Sequence, residues 1–221
     1  MRPSRRPGAS IVCRLLGTAL LVCAPALAAA TGLYERFIDA VTVDRSEEVA
    51  AMLARGIDPN TVDPNGNPVL LIAARSGFEP TLDALLAAGA KVDARNPLGD
   101  SPIMVAAIAG HLAIVEKLYQ RGAKINHPGW TPLIYAATSG QIDVARFLLD
   151  ARADVNAASP NGTTALMMAV RGGFAPMVEL LISRGADLEH RNESGATAMT
   201  WAKRGGFDAI ERTLAQHGAK D

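Results

Sequence analysis

Two cysteines are all that this 221-residue chain has, and both, Cys13 and Cys23, stand near its start. Everything after them lacks a thiol, which excludes a disulfide framework, a cysteine-ligated metal and a cysteine nucleophile. Histidine is nearly as scarce. His111, His127, His190 and His217 lie far apart, none set with a serine or cysteine nucleophile, and no H-x-x-x-H or C-x-x-C spacing occurs. Phosphate-cradling patterns such as G-x-G-x-x-G or a Walker loop are missing as well. Paired carboxylates such as Glu47–Glu48 fall on exposed helix turns. An enzyme needs clustered titratable groups, and this inventory supplies none, so the expectation is no catalytic residue, no metal and no cofactor.

Charge of one sign is also absent in excess: 22 basic residues face 22 acidic ones. The first 30 residues skew that balance. Arg2, Arg5 and Arg6 make a basic start, and Leu15 to Val22 is an apolar run. Ala26–Leu27–Ala28 and Ala28–Ala29–Ala30 offer small-x-small cleavage sites. That order is expected of a secretory signal peptide over residues 1–30. A signal anchor retained in the membrane is the alternative, although Leu15 to Ala30 is short for a span and holds Gly17 and Pro25. Cleavage would leave 18 basic against 22 acidic residues, a poor footprint for nucleic acid. The mature chain is therefore expected in the periplasm or outside the cell, with no nucleic acid and no membrane as partner.

What is abundant is repetition. Gly129–Trp130–Thr131–Pro132–Leu133–Ile134–Tyr135–Ala136–Ala137, closed by Gly140, recurs as Gly99 to Gly110, Gly162 to Gly173 and Gly195 to Gly206, and in worn form as Gly66 to Gly77. Each copy runs on through a second apolar segment to a glycine: Gly89, Gly122, Gly185, Gly218, mostly 33 residues apart. A fixed period of this size predicts a stacked all-α solenoid of helix-turn-helix units with short projecting loops. Ser101–Pro102 and Thr131–Pro132 put a hydroxyl at the N-cap and proline at the first helical position. The apolar spacing puts Trp201, Tyr135, Phe78, Phe174 and Phe207 in the core.

These motifs resemble the ankyrin repeat, over nearly all of the chain after residue 33. The resemblance implies about six units, near 33–62, 63–95, 96–126, 127–158, 159–191 and 192–221, with polar end units. It also implies a non-enzymatic module that binds another protein through a concave wall of finger tips and first-helix ends, and that is a monomer by itself. By register, the finger positions are Asn67, Asp100, Trp130, Thr163 and Ala196. The helix-end positions are Arg75, Ile108, Thr138, Arg171 and Arg204. Trp130, Arg75, Asp100, Ile108, Thr138, Arg171 and Arg204 are the expected partner-binding residues. Small exported bacterial proteins similar to this one are linked to periplasmic catalase activity, or act as immunity proteins against envelope-acting toxins. A structural component held by an uncleaved leader is a third reading.

Three departures from the pattern stand out. The histidine that typically follows Thr-Pro-Leu is replaced by Leu71, Met104, Ile134, Met167 and Thr200, so packing should stand in for a polar ladder. His111 keeps the Gly-His place at the turn and is expected to be structural. Arg152 stands where Gly89, Gly122 and Gly185 end their second helices, so a side chain is expected at positive φ. Finally, the loop before Trp130 is three residues short, clipped to His127–Pro128, which predicts a notch in the row of fingers.

Overall fold

The computed structural model describes residues 32–220; the expected leader lies outside them. Contacts divide the chain after Asp39, leaving Ala40–Asp221 as one compact unit. Among the described residues the regular structure is α-helical, apart from isolated bridges Val62–Pro68 and Ala158–Thr164. Helix α1 covers residues 32–42. It is followed by α2 (Ser46–Ala54), and the rest pair along the chain: α3 (Val69–Ser76) with α4 (Glu79–Ala87); α5 (Pro102–Ala109) with α6 (Leu112–Gln120); α7 (Pro132–Thr138) with α8 (Ile142–Asp150); α9 (Ala165–Arg171) with α10 (Ala175–Ser183); and α11 (Ala198–Gly205) with α12 (Asp208–Gln216). No described helix is long and apolar enough to cross a membrane.

The first helices of the pairs pack as one row, α3 on α5, α5 on α7, α7 on α9, α9 on α11. Alanine makes that row close: Ala73, Ala74, Ala106, Ala107, Ala136 and Ala137 are all fully buried. The second helices insert one leucine column, Leu85, Leu118, Leu148, Leu181 and Leu214, each fully buried and each worth roughly 1.5–3 kcal/mol of burial. Leu71, Met104, Ile134 and Met167, at the place where histidine was expected by resemblance, are buried to within 1%. The stack is therefore tied there by packing, as their apolar character requires.

Each first helix ends at a left-handed glycine, Gly140 (φ 66°) among them. A Cβ at Gly140 would sit 2.8 Å from the Phe174 ring, so the backbone conformation and the space both demand glycine. Phe174 and Phe207 thus cap the second helices of their units while lying against the turn of the unit before. They and Phe78 are half-buried rather than core, because a side chain in a turn has protein on one side only. His111 does the same by hydrogen bond: its Nε2 lies 3.1 Å from the Arg75 carbonyl oxygen. Its role is structural, as expected.

The hydroxyl caps divide. Thr131, Thr164 and Thr197 accept from the backbone N–H three residues on. Ser101 does not: its Oγ is buried without a partner, and its own N–H donates to Met104 Sδ at 3.3 Å.

A polar ladder does exist, in the loops. Side-chain oxygens of Asn60, Asp93, Asn126, Asn156 and Glu189 accept from the backbone N–H of Lys91, Lys124, Asp154, Asp187 and Lys220 in the following unit, at 2.7–3.0 Å. Its rungs run straight through the shortened loop. The deletion therefore falls after the ladder position and leaves the stacking register intact.

Arg152 has φ 68°, where Gly56, Gly89, Gly122, Gly185 and Gly218 have 84–95°. Its carbonyl accepts from Asn126 Nδ2 at 2.9 Å, a bond made by backbone and kept in any substitution. Arg152→Gly should therefore raise stability by about 1 kcal/mol and the melting temperature by roughly 2–4 °C. Calorimetry checks this; an unchanged or lower midpoint would mean that the arginine side chain contributes more than its backbone strain takes away.

Candidate functional site

Five loops could project as fingers, and the hydrogen bonds show which do. Asp63 with Asn67, Asn96 with Asp100, Ser159 with Thr163 and Asn192 with Ala196 each close a tight turn by a backbone N–H to carbonyl bond. In each, the first residue's side chain also accepts from the backbone N–H of the last. The segment between Asn126 and Trp130 is too short for such a turn. In its place is a cleft of about 420 Å³ lined by Asn126, His127, Pro128, Gly129, Asp154, Ala157 and Ala158. This is the notch that the three-residue deletion predicts.

Trp130 follows Gly129 of that lining in the chain and is 38% exposed. The indole meets the Tyr135 ring edge to face, with centroids 5.9 Å apart and planes at 85°. The Tyr135 hydroxyl donates to Asp100 Oδ1, and Asp100 Oδ2 accepts from Asn96 Nδ2 at 3.2 Å. Asn96 Nδ2 also reaches Asn67 Oδ1 at 3.3 Å, and Asn67 donates to Asp63 Oδ2 at 2.9 Å. One continuous network thus runs from the Asp63 finger to the indole. It fixes the Tyr135 ring against which the exposed indole packs, and exposed aromatics of this kind are common interface anchors.

Tyr135 is half-buried, not core. In its column Val105 and Met168 are buried, whereas Ile72, Tyr135 and Trp201 are half-buried. Burial, together with Asp100 accepting its hydrogen bond, raises the Tyr135 phenol well above its ordinary range. An unfolded chain releases that proton near pH 10, so the stabilisation is full below this pH and declines as pH rises from there through the folded value. Ultraviolet titration of the folded protein should show one phenol ionising late, and Tyr135→Phe should remove that component. Persistence of the late component in the variant would place the perturbed phenol elsewhere.

The remaining expected site residues distribute as follows. Arg75, Arg171 and Arg204 are exposed at the ends of their first helices; Ile108 and Thr138 are half-buried. The Thr138 hydroxyl is occupied, donating to the Ile134 carbonyl at 2.8 Å. Thr163 and Ala196, mapped to finger positions, are buried at 2% and 3%. Asp100 is half-buried, its carboxylate taken by Tyr135 and Asn96, and only Trp130 of these positions is exposed. Arg171 and Arg204 share a second cleft, of about 480 Å³, with Ser194, Trp201, Gly205 and Phe207.

The second-helix side is knitted by exposed ion pairs, Lys117 with Asp83 (2.7 Å) and Glu79 (3.0 Å), and Arg184 with Asp150 (2.8 Å). Among the described residues no three histidine, cysteine or carboxylate side chains come together. A family model for ankyrin repeats (3 copies) matches residues 37–128, 70–159 and 151–221. No curated protein matches the chain.

Proposed function

Because this chain belongs to the ankyrin-repeat family, a family of non-enzymatic protein–protein interaction scaffolds, we propose that it is an exported module that grips one partner protein on its first-helix and finger face. The observation that carries this reading is the exposed Trp130, packed on the Tyr135 that Asp100 holds, directly after the shortened loop. Aromatic anchors with arginines beside them dominate interface energetics, and Arg75, Arg171 and Arg204 emerge on the same register of the first helices. Export rests on the basic, then apolar, then small-residue order of residues 1–30. The partner is thus sought in the envelope or outside the cell.

Photo-crosslinking tests the face. A photoreactive residue at Arg75, Trp130 or Arg171 should yield the same adduct from an envelope fraction, while one at Arg146 or Glu179, exposed on second helices α8 and α10, should not. Equal adducts from both sets would refute the assignment. N-terminal sequencing of the mature chain tests export: a start between residues 28 and 32 is expected, and an intact Met1 would point to a retained anchor.

A further inference from the structure

The cleft between α9 and the last helix pair differs in chemistry from the Trp130 edge. Arg171 ends α9 and Arg204 lies on α11, in the same column one unit later. Neither guanidinium has a hydrogen bond or ion pair among the described residues, and no carboxylate lines the cleft they share. Trp201, one helical turn before Arg204 and therefore on the same face, and Phe207 supply its apolar surface. An uncharged occupant would desolvate two unpaired cations without compensation, which is costly. A purely acidic one would leave the rings unused.

From this, and resting on the interaction reading above, we propose that the cleft holds an acidic-aromatic segment of the partner protein, an extended stretch in which two carboxylates flank an aromatic side chain. In a strand, residues i, i+2 and i+4 share one face. The outer two are then about 13 Å apart, against about 8–10 Å between neighbouring helix axes, a difference that flexible arginine side chains span. The carboxylates take Arg171 and Arg204 as charge-assisted hydrogen-bond donors, and the central ring packs on Trp201 and Phe207. Two cations in a chain of balanced charge are too few for the phosphate stripe of a nucleic acid.

The test uses Trp201 as its own reporter. Trp130→Phe leaves Trp201 as the single tryptophan. Its fluorescence is titrated with an end-blocked pentapeptide carrying glutamate at positions one and five and phenylalanine at three, and with the glutamine counterpart. Saturable change is expected for the glutamate peptide, weakened about tenfold by combined Arg171→Gln and Arg204→Gln and by raising salt to about 0.5 M. Both arginines are exposed, so the double variant should keep the parent's helical circular dichroism. Equal binding of the glutamine peptide, an unchanged affinity in the double variant, no saturation up to about millimolar peptide, or tighter binding of a single-stranded oligothymidylate would each overturn the proposal. If the adducts from position 130 persist while the peptide fails, this inference alone is lost and the interaction reading stands.

Discussion

Replacing Ile134 with alanine is expected to lower the unfolding free energy by about 2–5 kcal/mol, a large share of a marginal total. Ile134 is fully buried in α7, and α7 packs on α5 at one side and α9 at the other. In a stack, stability is the sum of each unit's own term and its nearest-neighbour interfaces. A cavity in the middle first helix therefore weakens two interfaces at once. It should also loosen the cooperativity that joins the units before and after it. Denaturant unfolding followed by circular dichroism and by tryptophan fluorescence checks both effects, since Trp130 and Trp201 sit in different units. The two probes should coincide for the parent and separate for Ile134→Ala, while Ile134→Val should cost only about 0.5–1.5 kcal/mol. A loss under about 1 kcal/mol for the alanine variant would mean that the helices close over the gap, and that packing is not what replaces the histidine.

Trp130→Ala should weaken partner binding by at least about 2 kcal/mol, or roughly 30-fold in Kd, with little effect on stability. The indole is 38% exposed, so its removal leaves no sealed cavity. Its one aromatic contact is the edge of Tyr135, a pair worth roughly 0.5–1.5 kcal/mol. The expected pattern is thus a melting temperature near that of the parent and a partner released faster. Titration of the captured partner against both proteins measures it. An unaltered Kd would remove Trp130 from the interface, and a collapse in stability would show that the indole chiefly covers the notch.

The exposure of one aromatic was legible in the sequence and that of two others was not, and packing explains the difference. Trp130 was legible because a deletion in a periodic chain shows by counting, and a residue beside a shortened loop has nothing left to cover it. Tyr135 and Trp201 were misassigned to the core because helical spacing identifies a face but not how much room that face has. Their column also holds Val105 and Met168, which are buried, and Ile72, which is half-buried, so only packing decides how deep each side chain sits. Thr163 and Ala196 failed in the opposite sense: their register is that of Trp130, yet both are buried where the indole is exposed.

By itself, then, the amino-acid order determined the period, the paired helices, the turns that need glycine and the strained Arg152, because each follows from local backbone geometry and from apolar spacing within some ten residues. Three-dimensional packing decided what residues about 30 apart do to one another. Tyr135 binding Asp100, Asn126 bonding the next unit's backbone, and Arg171 meeting Arg204 across a cleft with Trp201 are contacts between units. The repeat sets the spacing of these positions, but which side chain meets which across an interface is decided only where the stacked units bring them within reach.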